Sequence, residues 1–317
     1  MKPNNPYPII AGPTASGKTA LSIAVAKCLN TEVVCADSMQ IYDTVSVGTA
    51  RPTTEEMDNV PHHLFGFIPL DERYSVARYM EDVNQTFTDI FRRNKTPLLC
   101  GGTGLYIQSF MENRQLFEEQ PNAELRLQYQ RIAETEGNEA LFQRLRLVDP
   151  VSAQRLHPND LHRIIRALEV YDTTGMTISE QTRLSHAIPS PYTPCLFVLD
   201  FHNRERLYDR INQRVDFMLE NGLLEEAREV LTTSPDATVT QAIGYKEFAE
   251  YFNGTITLSE AADRLRQQTR HYAKRQLSWF RRMNGHTIWV DDFTSADSLC
   301  NHVLEIYSQF LKGGDTV

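Results

Sequence analysis

The sequence GPTASGKT, residues 12–19, follows a short apolar run at residues 7–11 and is the strongest indication of the fold. It matches the pattern G-x-x-x-x-G-K-[ST], in which a glycine-rich turn leads from a strand into a helix. The backbone N–H groups of such a turn converge on phosphate, and the lysine adds a positive charge against the outer phosphate. The stretch therefore predicts a phosphate-binding loop, but it leaves open whose phosphates are bound.

The sequence around this loop alternates between strand and helix signals, which is typical of a parallel sheet with crossover helices. Strands are predicted at residues 7–11, 32–36 and 96–100, and helices at residues 18–29 and 75–94. The third of these strands leads directly into a second glycine-rich turn, GGTG. We therefore expect a P-loop NTPase-like α/β core with a parallel sheet.

The pattern becomes helical after about residue 110. One face of a helix is predicted by the spacing of Leu161, Ile164, Ile165, Leu168 and Tyr171. We therefore predict an all-helical domain, residues 113–193, inserted into a core formed by residues 1–112 and 194–317. The second part of that core is predicted to contain strands at 196–201 and 286–290 and helices at 204–220, 224–231, 246–252 and 259–280.

Composition and charge narrow the class of protein. The chain has 317 residues, of which 41% are hydrophobic, and a formal net charge of −9. The sequence has neither the pattern of a signal peptide nor an apolar run long enough to cross a membrane, so we expect a cytoplasmic protein. Its five scattered cysteines argue against a disulfide framework and against a structural zinc site. The acidic balance argues against a nucleic-acid coat protein, yet residues 264–282 are strongly basic and contain no acid.

The loop motif on its own favours a nucleotide or small-metabolite kinase that uses ATP. Such an enzyme needs a carboxylate near the end of a neighbouring buried strand, where it holds the metal or positions the acceptor. Asp37, after the strand at 32–36, is the first candidate, and Asp200 is the second. A non-catalytic RNA-binding protein is a third hypothesis, but it leaves Lys18 and Asp37 without a purpose.

Four further stretches change this interpretation. They are DSMQIY with GTARP at residues 37–42 and 48–52, GGTGLY at residues 101–106, HPND at residues 157–160 leading into Arg163 and Arg166, and AIGYKE at residues 242–247 with QTRHYAKRQ at residues 268–276. Together with the phosphate loop they resemble the tRNA dimethylallyltransferases, also called tRNA isopentenyltransferases. The resemblance extends from about residue 9 to residue 282. The sequence shows no match to the zinc-finger extension of eukaryotic members, so we expect the bacterial form of the family.

The resemblance implies an enzyme that transfers a dimethylallyl group from dimethylallyl diphosphate to the exocyclic amine of an adenosine. In this family the adenosine lies directly 3′ of the anticodon, in tRNAs that read codons beginning with U. The implied ligands of the leaving diphosphate are the loop residues Gly12, Pro13, Thr14, Ala15, Ser16, Gly17, Lys18 and Thr19. Mg²⁺ is the implied cofactor, with the hydroxyl of Thr19 as its ligand.

The resemblance also implies roles for residues outside the loop. The matching catalytic positions are Asp37 as the base at the acceptor amine, Thr103 at the adenine and donor, and Arg214 at the diphosphate. The implied tRNA-binding residues are Asp37, Ser38, Met39, Gln40, Thr103, Arg126, His162, Arg163, Ile164, Ile165, Arg166, Gln241, Ala242, Ile243, Gly244, Tyr245 and Lys246. The implied partners are thus the anticodon stem-loop of tRNA and dimethylallyl diphosphate, without a membrane, and we expect a monomer. In the basic stretch at residues 264–282, the spacing of Arg266, Arg270 and Lys274 predicts one positive stripe along a helix. Whether this stripe meets tRNA or diphosphate stays open.

Overall fold

The computed structural model describes residues 4–116, 122–186, 188–235 and 237–313. The chain divides into two compact units, the first formed by the residues up to Met111 and from Ser190 onward, the second by Glu112–Pro189. The predicted domain ranges also include residues 1–3, 117–121, 187, 236 and 314–317, which lie outside the described residues. Each unit encloses apolar clusters of its own.

The first unit is built on a parallel sheet of six described strands. They are β1 (Pro6–Ala11), β2 (Glu32–Cys35), β3 (His62–His63), β4 (Pro97–Gly101), β5 (Thr193–Asp200) and β6 (His286–Trp289). Their spatial order is β3-β2-β4-β1-β5-β6, and Ile9 of β1 is aligned with Leu99 on one side and Leu196 on the other. The predicted α/β fold class, a P-loop NTPase-like parallel sheet, is confirmed.

Helices cover both faces of this sheet. The described α-helices are α1 (Lys18–Leu29), α2 (Thr54–Met57), α3 (Val76–Arg92), α4 (Gly104–Met111), α5 (Ala123–Glu136), α6 (Asn138–Val148), α7 (Pro150–Ala153), α8 (Leu161–Thr174), α9 (Ile178–Ser185), α10 (Arg204–Glu220), α11 (Leu223–Thr233), α12 (Ala249–Phe252), α13 (Leu258–Phe280) and α14 (Ala296–Leu311). On one face Ile10 shares a cluster with Val25 of α1 and Val303 of α14. On the other face the ring of Tyr7 meets Phe87 and Phe110 edge to face.

Three strands bring functional sequence motifs to one edge of the sheet. β1 leads into the phosphate loop, β2 ends two residues before Asp37, and β4 ends two residues before Thr103. Since the carboxyl ends of parallel strands meet at the same edge, the loop and both polar residues converge there. Gly17, with a φ of 93°, takes the left-handed conformation that turns the chain into α1 at Lys18.

Gly101 marks a close approach between two of these strand ends. A Cβ atom at this position would lie 2.1 Å from the carbonyl oxygen of Ala36. Because backbone cannot move aside as a flexible side chain does, we expect Gly101→Ala to lower the free energy of unfolding by about 1–3 kcal/mol. Urea denaturation measures this loss. The control is Gly254→Asn, which lies in open space at a φ of 72° that asparagine tolerates. Unchanged stability of Gly101→Ala would contradict the close approach.

The second unit contains helices α5 to α9, which pack around one apolar cluster. In that cluster Ile164, Ile165 and Leu168 of α8 pack with Leu141 and Leu145 of α6, which confirms the predicted apolar face. The prediction was wrong for Tyr171, whose side chain is exposed. It lies at the margin of the apolar stripe and in the last turn of α8, where less of the cluster covers it.

Several elements differ from the sequence prediction. The helix predicted at residues 246–252 is a 3₁₀ turn, Lys246–Phe248, followed by the single α-turn of α12. Thr193, predicted as the last residue of the insertion, instead begins β5 and pairs with Pro6. β3 was not predicted, because two residues are too short for a periodic pattern. α14 was missed although its buried residues recur at helical spacing, as Leu299, Val303, Tyr307 and Phe310.

Candidate active site

A cavity of about 350 Å³ in the first unit opens among the loops that follow the strands. Its lining comes from the phosphate loop, the residues after β2, helix α10, the segment at residues 241–246 and helix α13. The lining includes Thr14, Lys18, Thr19, Asp37, Ser38, Met39, Gln40, Arg214, Gln241, Ala242, Ile243, Gly244, Tyr245, Lys246, Tyr272 and Gln276. The cavity therefore brings together predicted site residues from distant parts of the chain.

The phosphate loop is held from outside by two side chains. Gln276 of α13 accepts the N–H of Thr14 at 2.8 Å and donates its amide to the carbonyl oxygen of Gly102 at 2.9 Å, so it joins the two glycine-rich turns. Arg210 of α10 donates to the carbonyl oxygen of Ala15 at 2.8 Å. The sequence prediction missed both of these supports, although Gln276 lies in a motif that the family resemblance had singled out.

Two polar groups of the loop, the hydroxyl of Ser16 and the ammonium group of Lys18, could bind an anionic ligand. The hydroxyl of Ser16 is buried and has no hydrogen-bond partner among the described residues. The ammonium group of Lys18 donates to the carbonyl oxygen of Pro13 at 2.7 Å, within the loop itself. Because buried polar groups are normally paired, an orphaned hydroxyl in a phosphate loop is consistent with a missing anionic ligand.

Positive charge is concentrated beside this loop. Burial lowers the pKa of Lys18 to about 8, with Arg214 lowering it further and Cys100 and Asp37 acting against the shift. Burial also lowers the pKa of Arg214, and its guanidinium makes no hydrogen bond or ion pair with the described residues. Two cations that have lost hydration, and that form no ion pair with the described residues, would gain from a bound anion. The site is therefore suited to a diphosphate.

Asp37 is the carboxylate that faces this cavity. Its Oδ1 accepts the N–H of Met39 at 3.0 Å, whereas Oδ2 accepts no hydrogen bond from the described residues. Asp200, the second candidate from the sequence, is buried and paired with Arg204 at 2.6 Å and Arg281 at 3.2 Å. Of the two candidate carboxylates, Asp200 is therefore held in ion pairs, whereas Asp37 lines the cavity.

Thr103 fixes the residue next to Asp37. Its hydroxyl accepts the N–H of Ser38 at 2.9 Å and donates to the Ser38 hydroxyl at 3.2 Å. Tyr272, which lines the cavity, was not predicted as a site residue, and burial raises its pKa, so its phenol stays protonated. The geometry thus links Thr103 to the cavity through Ser38.

Four of the predicted tRNA-binding residues of the second unit, Arg126, His162, Ile165 and Arg166, line one groove. This groove is lined by Arg126, Gln130, Leu161, His162, Ile165 and Arg166. The carboxylate of Glu169 is buried and pairs with Arg126 at 2.9 Å and with Arg166 at 3.0 Å, so it holds the two guanidinium groups beside each other. Arg163 is exposed. Ile164 is fully buried in the unit's core, so its side chain cannot contact RNA without opening that core.

The basic stretch at residues 264–282 differs from the open positive stripe that its sequence suggested. Arg266 pairs with Asp216 of α10 and with Asp263, and Arg270 donates to the side chain of Asn212 at 2.8 Å. Lys274 lies over the ring of Tyr208. The acids that neutralise Arg266 come from outside the stretch, which its own sequence does not reveal. Much of the predicted stripe therefore packs against α10.

Two further features of the described residues concern the adjacent histidines His62 and His63 and the apolar character of the helices. His63 bonds to the carboxylate of Glu32, and His62 to the carbonyl oxygen of Val60, so the histidine pair has structural partners. Along the described residues, no helix combines the length and the apolar character needed to span a membrane.

Family models match most of this chain. The model described as IPP transferase matches residues 40–283, and the model described as isopentenyl transferase matches residues 7–65. The first covers more than half of the sequence and includes Thr103, Arg214 and the segment at 241–246, whereas the second includes the phosphate loop and Asp37.

Curated relatives and solved structures agree with these models. The chain is 42% identical over 301 residues to the tRNA dimethylallyltransferase of Thermoanaerobacter sp. (strain X514), covering 94% of this chain and 96% of the relative. It is also 42% identical to the enzyme of that name from Halalkalibacterium halodurans, with 96% of each chain covered. A crystal structure of the tRNA isopentenylpyrophosphate transferase from Bacillus halodurans matches with a TM-score of 0.72 and 38% identity, covering 97% of each chain. A eukaryotic dimethylallyltransferase, solved while acting on tRNA, matches with a TM-score of 0.82 and 29% identity over 98% of this chain and 80% of that one.

Proposed function

Because this chain belongs to the tRNA dimethylallyltransferase family, we propose that its cavity joins a five-carbon allylic diphosphate to an adenine of tRNA. The product is a dimethylallyl group on the exocyclic amine of the adenosine 3′ of the anticodon, in tRNAs that read codons beginning with U. The relatives carry the name of this transfer, and their names do not support the kinase alternative. The observation that supports the proposal is that the phosphate loop, with its cations, and the carboxylate of Asp37 line the same cavity.

The donor half of the reaction uses the phosphate loop. As the allylic C–O bond breaks, its electron pair moves to the diphosphate, and negative charge grows on the leaving group. Lys18, Arg214 and the backbone N–H groups of residues 12–19 supply positive charge and hydrogen bonds to that group. The lowered pKa values of both cations support this role, since binding an anion would restore the interactions that burial removed.

The acceptor half of the reaction uses Asp37. An adenine amine is a weak nucleophile, because its lone pair is delocalised into the ring. We assign Asp37 to orient this amine and to accept its proton as the N–C bond forms. The target base must leave the stack of the anticodon loop before its amine can enter a cavity. Ser38, Met39 and Gln40, which also line the cavity, are the residues that we propose contact the extruded nucleotide.

Mg²⁺ is a further part of the proposal. The hydroxyl of Thr19 is an oxygen donor in this cavity, and Mg²⁺ binds through one or two protein oxygens together with substrate phosphates. Thr19 therefore fits the ion as a protein ligand. When bound, Mg²⁺ would neutralise part of the charge on the leaving diphosphate. Because tRNA is a cytoplasmic substrate, we propose a cytoplasmic protein, and we propose that it acts as a monomer.

The second unit is proposed to bind the anticodon stem-loop through phosphate contacts. Arg163 and Arg166 lie three residues apart on α8, on adjacent turns, and could reach one phosphate strand together. We expect the double variant Arg163→Ala, Arg166→Ala to weaken tRNA binding and to lower the salt dependence of the affinity by about one unit of slope per lost contact. Filter binding at several salt concentrations measures both.

The control for this prediction is the double variant Arg131→Ala, Arg146→Ala, which removes two exposed arginines from α5 and α6. It removes the same amount of charge from the same unit, so it should retain most of the slope. An unchanged slope for the α8 variant would contradict a phosphate-binding role for its two arginines.

The site of modification tests the proposed function. Purified enzyme, Mg²⁺, dimethylallyl diphosphate and an unmodified tRNA that reads a codon beginning with U are incubated together, and the digested tRNA is analysed by mass spectrometry. We expect one dimethylallyl group on the adenosine 3′ of the anticodon. A tRNA with guanosine at that position should stay unmodified. Modification of any other nucleotide would contradict the proposal.

A further inference from the structure

Glu226, on α11, holds the loop formed by residues 46–50 through three backbone hydrogen bonds. Its Oε2 accepts the N–H groups of Ser46 at 2.7 Å and of Val47 at 2.9 Å, and its Oε1 accepts the N–H of Gly48 at 2.7 Å. Hydrogen bonds to an ionised carboxylate are about twice as strong as those between neutral groups. One side chain therefore holds the backbone N–H groups of three successive loop residues.

The same carboxylate reaches a second segment through Tyr245. The phenol of Tyr245 donates to Oε1 of Glu226 at 2.9 Å. Burial and the adjacent carboxylate raise the pKa of Tyr245, so the phenol remains a donor. The two segments also touch directly, because a Cβ atom at Gly48 would lie 2.7 Å from the hydroxyl oxygen of Tyr245. Glu226 thus joins the loop at 46–50 to the segment at 241–246.

Both segments form one side of the cavity. Gly48, Thr49 and Tyr245 line it, as does Gln40. The amide of Gln40 donates to the carbonyl oxygens of Thr49 and Ala50, each at 3.0 Å. The orientation of Gln40 therefore depends on the loop that Glu226 holds, although Glu226 does not itself line the cavity. Gln40 and residues 241–246 are the groups proposed above to contact tRNA.

The diphosphate side of the cavity has separate supports. The phosphate loop is held by Gln276 and Arg210, at 2.8 Å in each case, and neither side chain bonds to Glu226. A defect at Glu226 should therefore disturb the side that receives the base and leave the donor side intact. This separation gives Glu226 a signature that a general loss of stability would not produce.

We propose that Glu226 is a positioning residue for the tRNA side of the cavity, acting through the loop at residues 46–50 and through Tyr245. The inference rests on the proposed function, since it assigns the residue to binding of the acceptor. Glu226 does not touch the reacting atoms in this account. Its role is to fix the backbone and side chains that meet the extruded nucleotide.

The test is a steady-state comparison of Glu226→Gln with the wild-type enzyme. The carboxylate accepts five hydrogen bonds, since the Ser46 hydroxyl also donates to Oε2 at 3.5 Å. A glutamine offers one acceptor oxygen, and its amide group would oppose backbone N–H donors, so at least two of these hydrogen bonds should be lost. We expect the KM for tRNA to rise about tenfold or more, with the KM for dimethylallyl diphosphate unchanged within about twofold. Glu226→Asp, which keeps the charge, should recover part of the tRNA affinity.

Two further variants make the outcome decisive. Glu225→Gln removes a carboxylate from the neighbouring exposed position of α11 and should behave as wild type. Tyr245→Phe removes one of the five hydrogen bonds to Glu226 and keeps the ring, so it should raise the KM for tRNA about two- to fivefold even if Glu226→Gln does not fold.

An unchanged KM for tRNA in Glu226→Gln or, if that variant does not fold, in Tyr245→Phe would overturn the inference. So would an equal rise in the KM values of both substrates, because it would indicate general loss of structure. In either case the wild-type enzyme would still modify tRNA, and the proposed function would stand. A wild-type enzyme that transfers no dimethylallyl group to tRNA would overturn the proposed function, and the inference with it.

Discussion

Asp37→Asn is expected to reduce turnover by about 10²–10⁴-fold, the usual range for a lost general base, while tRNA still binds. Asparagine has nearly the same shape as aspartate, and its amide oxygen can still accept the N–H of Met39, so the local turn should persist. What it lacks is the ability to accept the proton of the adenine amine. The prediction therefore separates chemistry from binding.

Single-turnover prenylation at saturating donor, together with filter binding of tRNA, measures the two effects of Asp37→Asn. Asp43→Asn is a matched control, because Asp43 is an exposed aspartate six residues further along the chain. It should leave both quantities unchanged. Turnover close to the wild-type value in Asp37→Asn would remove Asp37 from the role of base.

Lys18→Ala should lower kcat by about 10²–10³-fold, the cost typical of removing one group that stabilises charge in the transition state. The ammonium group of Lys18 carries a full positive charge, whereas the other groups of the phosphate loop are neutral. It faces the leaving diphosphate, which gains negative charge as the C–O bond breaks. Lys27→Ala, at an exposed position on the same helix, is the control and should retain activity. A kcat of Lys18→Ala within a few-fold of wild type would contradict the leaving-group role of the loop.

The pKa of Lys18 also predicts a pH dependence. Burial lowers this pKa to about 8, so the group is a cation below that pH and becomes neutral above it. The value of kcat/KM for dimethylallyl diphosphate reports the free enzyme and should therefore fall as pH rises through about 8. Bound diphosphate favours the cation and raises the pKa, so kcat should decline only at higher pH. Lys18→Arg, which stays charged throughout, should lose the decline in kcat/KM near pH 8 if the charge is its cause.

The residues at the donor half of the site could be predicted because the sequence pattern that identifies them lies in one short segment of the chain. The phosphate loop, its strand and its helix occupy one continuous stretch, and α1 begins and ends at the predicted residues, Lys18 and Leu29. Asp37 was predictable for a related reason, since a polar residue directly after a buried strand must lie at the carboxyl edge of the sheet. Local order along the chain was thus sufficient for these residues.

The supports of the site were not predictable, because they depend on contacts between distant residues. Gln276 and Thr14 are 262 positions apart, and Glu226 and Gly48 are 178 positions apart. No spacing rule connects such pairs, and a single sequence offers no other signal for them. The same limit explains the basic stretch, where the partners of Arg266 include Asp216 on another helix.

Family resemblance assigned some residues by segment, without distinguishing buried from exposed positions. Within the segment at 162–166, His162 and Arg163 are exposed, whereas Ile164 belongs to the core of the second unit. The helical period predicts this difference, because Ile164, Ile165 and Leu168 lie on the apolar stripe. Periodicity and resemblance are therefore best applied together, residue by residue.

The central claim is that the phosphate loop holds a leaving group and not a nucleotide. The most direct test incubates the purified enzyme with Mg²⁺ and an unmodified tRNA that reads a codon beginning with U, in two parallel reactions. One contains labelled dimethylallyl diphosphate without ATP, and the other contains labelled ATP without the prenyl donor. We predict label on the tRNA in the first reaction and no consumption of ATP in the second. Turnover of ATP without any prenyl label on the tRNA would contradict the account.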